Sequence, residues 1–369
     1  MKIGIFTLPL ANNYGGVLQA FALQQVLQQM GHRAVVVQRP RRFPVWMGYW
    51  KNRLFQKPTL LPDFHSFLFI SHNMTSFVKK NIKQTKQRYL SSDRSLNAHN
   101  FDACIVGSDQ VWRPQYTPHV EYFFLDFLKS EKCKRIAYAA SFGIDEWTFS
   151  EAQTSRCRSL LQKFDMVSIR EKSGIKLCKK HFDRDAEWVL DPTCLVKPLI
   201  YRNLANQSSK EFSGKLVYYF LGKLSEKMQF VDKAASLLKL PAVPVMPRRR
   251  YWEELYTKTK LDDFVFPRVE TWLKGMRDAE YIITDSFHGC VFAIIFNRPF
   301  LVISHTEGGM ARFHSLLTTF GLENRLVTDV SEITLDKLKP PIDFSAVNRI
   351  LDTERLRSLE LLITALNHV

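Results

Sequence analysis

Alternating apolar and polar residues open the chain and predict a strand at residues 2–8 (KIGIFTL). A loop at 11–16 (ANNYGG) separates this strand from residues 17–30, where apolar residues recur at helical spacing until Gly31. Residues 34–38 form a second predicted strand. The order strand, helix, strand predicts a parallel sheet with a right-handed crossover.

The rest of the chain repeats strand-like and helix-like runs in two sets, on either side of the polar stretch 206–213 (NQSSKEFS). The predicted strands are 103–106, 135–139, 166–169, 188–190, 216–221, 281–284 and 299–304, and the predicted helices are 225–239, 269–278, 289–296 and 345–367. We therefore expect an α/β protein of two Rossmann-like domains with mostly parallel sheets. Ligands of such folds bind at the carboxyl ends of the strands.

This division gives three expected parts. Residues 1–205 form the N-terminal Rossmann-like domain, which carries a basic, aromatic insertion near residues 40–92. Residues 206–340 form the second Rossmann-like domain, and residues 341–369 form a C-terminal helix that packs back on the body.

Composition excludes several classes of protein. The 369 residues are enough for two domains, and 46% apolar with 24% charged residues supports a packed core rather than disorder. No uncharged apolar run approaches the roughly 18 residues that a membrane-spanning helix needs. Residues 2–10 imitate a short signal peptide but lack a small-residue cleavage site, so we interpret them as the first strand and expect a cytoplasmic protein.

The six cysteines are scattered, without a CxxC pair or the spacing of a metal site. Disulfide scaffolds are short and dense in cysteine, and this chain is neither. Buried thiols are the expected state, and no metal or other cofactor is predicted.

Positive charge is concentrated near the N-terminus. The chain has 52 Lys and Arg against 36 Asp and Glu, a net charge of +16, and residues 1–92 contain only one acid, Asp63. Residues 43–69 interleave aromatic residues with lysine and arginine. This mixture suits an anionic membrane surface or a lipid-linked substrate, and it is also compatible with nucleic-acid binding or with a folded insertion whose rings lie in its own core. We prefer the membrane contact to nucleic acid.

Two loops carry candidate chemistry. In the first, Asn13, Tyr14, Gly15 and Gly16 lie between a strand and a helix start, where backbone N–H groups can bind an anion. The alternative interpretation is an ordinary turn. The motif is neither GxGxxG nor a Walker loop.

The second loop, residues 284–289 (TDSFHG), places His288 at the carboxyl end of a strand and at a helix entrance, beside Asp285 and Ser286. A proton donor is well placed there, although Asp285 or Ser286 acting as a helix cap is the alternative. Without GxSxG, a hydrolase triad is not indicated.

Three further strand ends carry polar residues. Residues 107–112 (GSDQVW) follow one strand and bring Ser108, Asp109, Gln110 and Trp112 to the ligand-binding edge. Arg170 follows another, with a planar fork suited to carboxylate or phosphate. Residues 191–193 (DPT) end a third.

Together these segments resemble a known family, the polysaccharide pyruvyl transferases. The resemblance runs through KIGIFTLPLANNYGGVLQAFAL, VGSDQVW, SIREKSG and LDPT to WLKGMRDAEYIITDSFHGCVFAIIFNRPFLVI and ARFHSLL. It implies a GT-B-like fold with a central cleft. It also implies transfer of the pyruvyl group of phosphoenolpyruvate to two hydroxyls of a sugar, giving a cyclic ketal and phosphate in the synthesis of a bacterial surface polysaccharide such as a capsule.

The resemblance also implies roles for single residues. His288 would be catalytic, Asp109 would act near the acceptor or as a base, and Arg170 would hold the donor's carboxylate or phosphate. Many family members have an arginine two positions before the histidine, where this chain has Ser286, so Arg312, Arg298 or another basic residue must replace it. The remaining candidate substrate contacts are Asn13, Tyr14, Gly15, Gly16, Ser108, Gln110 and Trp112.

The expected partners are phosphoenolpyruvate and a sugar acceptor, a hexose such as galactose in a polysaccharide or on a polyprenyl diphosphate at the inner membrane face. Two other functions remain open at this point. One is a GT-B glycosyltransferase that uses a nucleotide sugar, and the other is a basic binding protein without catalysis. Phosphate release from phosphoenolpyruvate in the presence of a sugar would distinguish a pyruvyl transferase from both of these alternatives.

Overall fold

A computed structural model describes residues 1–38, 62–86, 100–117, 119–250, 253, 258–304 and 310–367. Most of the basic, aromatic stretch 43–69, including Lys51 and Arg53, lies outside these residues, as do Arg41 and Arg42. The described part of that stretch belongs to one helix.

The first sheet contains six parallel strands in the order β2-β1-β3-β4-β5-β6. Its strands are β1 (Lys2–Phe6), β2 (Arg33–Val36), β3 (Ala103–Val106), β4 (Lys134–Ala140), β5 (Met166–Ile169) and β6 (Glu187–Trp188). Central strands such as β3 are buried on both faces because helices cover both sides of a parallel sheet. This is the parallel βαβ arrangement that the sequence predicts.

The second sheet contains five parallel strands in the order β11-β10-β9-β7-β8. Its strands are β7 (Leu216–Tyr219), β8 (Ala242–Pro244), β9 (Tyr281–Thr284), β10 (Phe300–Ile303) and β11 (Leu326–Val327). The sequence analysis missed β8 and β11. Both are edge strands of two or three residues, too short to show a period.

Twelve α-helices lie in the described part of the chain. They are α1 (Tyr14–Gln29), α2 (Phe64–Asn81), α3 (Glu151–Leu161), α4 (Lys172–Leu177), α5 (Pro192–Leu195), α6 (Pro198–Ala205), α7 (Met228–Leu238), α8 (Val269–Asp278), α9 (Phe287–Ile295), α10 (Met310–Phe320), α11 (Leu335–Leu338) and α12 (Phe344–Asn367). The long C-terminal α12 returns to the first sheet, where Ser358 Oγ accepts a hydrogen bond from Leu190 N at 3.1 Å.

One continuous apolar core joins the two sheets. Tyr14, at the start of α1, stacks on Trp272 of α8 with ring centroids 5.3 Å apart, and its hydroxyl donates to Pro267 O at 2.6 Å. Both rings are fully buried. The N-terminus of α1 is therefore held against the second sheet, which places its loop beside β9 and α9.

Within the described residues, no helix is long and apolar enough to cross a membrane.

Candidate active site

Polar side chains from the carboxyl ends of β3, β5, β6 and β9 meet between the two sheets. Asp109 follows β3, Arg170 follows β5, Asp191 follows β6, and His288 lies in the first turn of α9 after β9. The fold thus brings together three residues that the sequence analysis had placed in the site. It also brings in Asp191, which the sequence analysis placed at a third strand end in the DPT motif without assigning it a role.

Asp191 is the most connected carboxylate of this cluster. Its Oδ2 accepts from Arg170 Nη1 at 3.0 Å and from Ser108 Oγ at 3.0 Å. Its Oδ1 accepts from Thr193 N at 3.0 Å and Thr193 Oγ1 at 2.7 Å, as expected for the cap of the short helix α5. Burial opposes ionisation, but the charges of His288 and Arg170 outweigh it and hold the pKa of Asp191 well below its usual range. Asp191 is therefore a buried anion between two basic groups.

Both terminal nitrogens of Arg170 bind carboxylates. Besides Asp191, its Nη2 donates to Asp109 Oδ1 at 2.8 Å, and the guanidinium lies over the Phe287 ring at 4.7 Å. Its side chain is completely buried. Burial works against the charge, yet Asp109 and Asp191 raise the pKa of Arg170 above its ordinary value. The fork that the sequence analysis assigned to the donor already binds two carboxylates of the protein.

Asp109 occupies an unusual backbone conformation, with φ of 80°. Such left-handed conformations of residues other than glycine concentrate at functional sites. Burial raises the pKa of Asp109, but the charges of Arg170, His288 and Arg312 outweigh this and lower the pKa below its ordinary value. The carboxylate is thus ionised.

His288 projects from α9 against the start of α1. A Cβ on Gly15 would lie 2.1 Å from His288 Nδ1, so only glycine leaves room for this approach. His288 Nε2 lies 3.5 Å from Asp191 Oδ2 and has no hydrogen-bond partner in the structure. The side chain of His288 is 7% exposed, and its Nε2 faces Asp191 rather than bulk water.

Arg312, in the first turn of α10, supplies a cation that is not engaged. Within the described residues no hydrogen bond or ion pair holds its guanidinium, and its Nε is buried without a partner. Burial and the neighbouring charge of Arg170 lower its pKa to about 10, while Asp109 and Glu171 act in the opposite direction. The sequence analysis named Arg312 and Arg298 as replacements for the family arginine at the position of Ser286. Of these two, Arg312 is the one at this site. Arg298 lies two residues before β10, at the amino edge of the second sheet and opposite to His288.

Glu171 is a further carboxyl that the sequence analysis did not single out. Its Oε1 accepts from Phe142 N at 2.7 Å and Gly143 N at 3.2 Å, whereas its Oε2 has no partner. Burial raises its pKa despite the opposing charge of Arg170. Its place directly after Arg170 in the motif SIREKSG was the available signal.

Several predicted substrate contacts have structural partners. Trp112 is fully buried, stacks on Phe124 at 4.8 Å and donates from its indole to Phe123 O at 3.0 Å. Tyr14 is buried between the sheets. Asn13 caps α1 by accepting from Gly16 N at 3.1 Å. Trp112 and Tyr14 therefore have packing roles, and the contact of these residues with substrate stays a prediction.

The remaining candidates lie beside the cluster. Ser108 is buried and binds Asp191, and Ser286 is the buried N-cap residue of α9. Gln110 Oε1 accepts from Arg113 Nη1 at 2.8 Å. A Cβ on Gly16 would contact Asp109 Oδ2 at an ordinary 3.7 Å, so Gly16, unlike Gly15, is not required for close packing.

Asp285, three residues before the histidine, has a structural role. Its two oxygens accept from Leu221 N at 2.7 Å and Gly222 N at 2.9 Å, and the Lys227 ammonium pairs with it. It therefore fixes the loop after β7 and is not a partner of His288.

No group of three or more potential metal ligands occurs among the residues that the structure describes. All six cysteines are buried thiols, as predicted.

Two parallel sheets with a polar cluster between them define the class of protein as one with the GT-B fold. Two solved structures show this likeness over nearly the whole chain. The UDP-N-acetylglucosamine 2-epimerase from Neisseria meningitidis bound to UDP-GlcNAc matches with a TM-score of 0.51 and 9% identity, covering 99% of each chain. The UDP-N-acetylglucosamine 2-epimerase from Rickettsia bellii matches with a TM-score of 0.51 and 11% identity, covering 99% of this chain and 96% of the other. At these identities the likeness shows the fold alone.

The family follows from a second comparison. The model of the polysaccharide pyruvyl transferase family matches residues 13–307, which include Asp109, Arg170, Asp191 and His288. The chain belongs to the polysaccharide pyruvyl transferase family and is an enzyme of that family. The comparison with curated proteins found no match.

Proposed function

We propose that the protein transfers the pyruvyl group of phosphoenolpyruvate to two hydroxyls of a hexose, such as galactose, to form a cyclic ketal and inorganic phosphate. The observation that carries this proposal is the guanidinium of Arg312 beside the buried cluster of His288, Asp109 and Asp191, because Arg312 Nε and His288 Nε2 are buried without hydrogen-bond partners. Buried polar atoms are usually satisfied. An unengaged guanidinium next to an imidazole suits an anionic donor such as phosphoenolpyruvate.

The residues present can perform the proton transfers of this reaction. His288 protonates C3 of the donor, and positive charge develops at C2. The first sugar hydroxyl attacks C2, and its proton passes to Asp109. The bond from C2 to the phosphate oxygen then breaks, and phosphate leaves with the proton held by Asp109. The second hydroxyl attacks C2 and returns a proton to His288, which restores the enzyme. Asp191 orients the imidazole and stabilises its charged form.

The two arginines have different parts in this scheme. Arg312 binds an anionic group of the donor, since its guanidinium is not engaged by any described residue. Arg170 acts mainly by holding Asp109 and Asp191 in place through its two ion pairs. The sequence analysis had Arg170 hold the donor's carboxylate or phosphate. We now assign that role to Arg312, because the donor would have to compete with two carboxylates for the guanidinium of Arg170.

The test of this function is release of inorganic phosphate from phosphoenolpyruvate with a panel of p-nitrophenyl galactosides, glucosides and mannosides, and with their lipid-linked counterparts. The expected product gains the mass of one pyruvate less one water. His288→Ala should lower turnover by at least about 100-fold. His314→Ala, a change at an exposed histidine of α10, is the matched control and should retain activity. A nucleotide sugar consumed in place of phosphoenolpyruvate would overturn the proposal.

We also propose that the enzyme works at an anionic membrane surface on a polyprenyl-diphosphate-linked acceptor. Helix α2 supports this, because it is packed on one side through Ile70, Met74 and Phe77 while Leu68 and Phe69 are 50% and 43% exposed on the other. Its last turn and the residue after Ile82 add Lys79, Lys80 and Lys83. Exposed apolar residues followed by lysines are typical of helices that lie in a lipid interface.

Flotation with vesicles containing phosphatidylglycerol tests this contact. Binding is expected at low ionic strength and should decrease as salt screens the lysines. The double variant Leu68→Ser and Phe69→Ser should reduce binding and spare activity on a soluble hexoside. A wild-type protein that ignores these vesicles at low salt would contradict the membrane contact.

A further inference from the structure

Tyr116 is 54% exposed, more than any other aromatic residue among those that the structure describes. It lies on the loop after β3, seven residues beyond Asp109. Large exposed aromatic groups carry contact area with little conformational freedom to lose.

One face of the Tyr116 ring is backed by a cation. The guanidinium carbon of Arg113 lies 4.4 Å from the ring centroid, and Arg113 Nη1 donates to Gln110 Oε1 at 2.8 Å. Thr117 Oγ1 donates to Arg113 O at 2.9 Å and closes the loop on the other side. The contact with Arg113 supports the ring from one side, while the residue as a whole stays 54% exposed.

The support of Tyr116 leads back to the catalytic cluster. Gln110 packs against Gly143, where a Cβ would lie 2.1 Å from Gln110 Oε1. Gly143 N donates to Glu171 Oε1 at 3.2 Å, and Glu171 is the residue after Arg170. The path Glu171, Gly143, Gln110, Arg113, Tyr116 therefore ties the exposed ring to the buried core of the site. A surface side chain without a role needs no such support.

Tyr116 also lies on the segment that leaves the carboxyl end of β3, the strand end from which Asp109 reaches Arg170. The ring therefore belongs to the same loop as a residue of the proposed site.

We propose that Tyr116 is the platform on which the acceptor's sugar ring stacks, with the apolar C–H face of a hexose against the exposed face of the tyrosine. The inference rests on the proposed function for its substrate class. Stacking fixes the plane of the sugar, and the loop that carries the platform also carries Asp109. Two neighbouring hydroxyls are thereby presented to the residues that accept their protons.

The experiment measures acceptor binding apart from turnover. Binding of p-nitrophenyl β-galactoside, β-glucoside and α-mannoside is followed by ligand-detected NMR without phosphoenolpyruvate, and KM is measured for both substrates. Tyr116→Ala should weaken hexoside binding and raise the acceptor KM roughly tenfold, with the KM for phosphoenolpyruvate and the unfolding transition unchanged. Tyr116→Phe should preserve binding, because it keeps the ring. Gly143→Ala should weaken binding by displacing Gln110, and Leu199→Ala, a change at a residue 63% exposed on α6, should have no effect.

Each outcome decides the proposal. Equal hexoside binding by wild type and Tyr116→Ala overturns the platform, and so does failure of wild type to bind any of the three hexosides. Hexoside binding that depends on Tyr116 without phosphate release from phosphoenolpyruvate would leave the platform standing and overturn the proposed function instead.

Discussion

Gly15 lies in the first turn of a helix that follows a strand of the first sheet, and His288 lies in the first turn of a helix that follows a strand of the second. The imidazole of His288 lies where a side chain on residue 15 would have to be. A Cβ there would be 2.1 Å from Nδ1 and 2.4 Å from Cγ. The contact joins the start of α1 to the start of α9, so the packing of the helices of the two sheets sets the position of the proposed proton donor. The imidazole turns Nδ1 towards Gly15 and Nε2 towards the carboxylate of Asp191, whose Oδ2 is 3.5 Å away.

Gly15→Ala should therefore displace the histidine. We expect kcat on phosphoenolpyruvate to fall by roughly 100-fold, the effect typical of a catalytic group misplaced by about 1 Å. Gly16→Ala is the matched control one residue away, because its Cβ would make only ordinary contacts of 3.6–3.7 Å. Steady-state kinetics of both variants test this. Equal activity of the two would show that the close approach has no role in catalysis.

Arg312→Leu should raise the KM for phosphoenolpyruvate at least tenfold and leave the acceptor KM nearly unchanged, because its guanidinium is the one assigned to a donor anion. Arg312→Lys should recover part of the loss, since a point charge replaces the planar fork. Arg298→Leu, at the opposite edge of the same sheet, is the control. A rise in the acceptor KM alone would reverse the assignment.

Asp191→Asn should destabilise the fold by about 3–5 kcal/mol at neutral pH, because it leaves the buried Arg170 with one carboxylate fewer. The pKa of Asp191 is lowered in the folded state, so its contribution is fully present above the unfolded-state pKa near 3.9 and is lost as pH falls from there through the folded-state pKa. Urea unfolding of wild type and variant at pH 7, 5 and 3.5 should show a constant difference at the first two and a smaller one at the third.

The control for this comparison is Asp352→Asn, at a carboxylate 67% exposed beside Arg355. Exposed ion pairs contribute little, so its effect should stay below about 1 kcal/mol at every pH. A difference between Asp191→Asn and wild type that is the same at pH 3.5 and pH 7 would mean that hydrogen bonding, not charge, accounts for the loss.

Tyr14→Phe separates a structural role from a substrate contact. The variant loses the hydrogen bond to Pro267 O and should lower the free energy of unfolding by about 1 kcal/mol, with both KM values unchanged. Chemical denaturation and kinetics on the same preparations test it. A raised KM with unchanged stability would place Tyr14 in the substrate site.

Local sequence patterns were sufficient for most of the architecture. Strands such as Ala103–Val106 and Tyr281–Thr284 and the helix Val269–Asp278 begin and end where their apolar periods predict. The reason is that the spacing of apolar residues in a strand or helix reflects which of its residues are buried in the core, and this spacing can be seen within the segment itself. The rule that ligands bind after parallel strands also predicted Asp109, Arg170 and His288 at the carboxyl edges of the two sheets. Helices such as α3, α6 and α10 were missed as elements, although Arg312 of α10 was proposed as a site residue.

What the sequence by itself determined was which residues follow the strands, because that depends only on short stretches of chain. Tertiary structure decided what those residues contact. The order β3-β4-β5-β6 brings Asp109 and Asp191 to opposite ends of the Arg170 fork, 61 and 21 residues away along the chain. The burial of Tyr14 and Trp112, and the approach of Gly15 to His288, arise where distant segments pack together. No local pattern encodes such contacts, because their energies depend on neighbours that only the complete fold supplies.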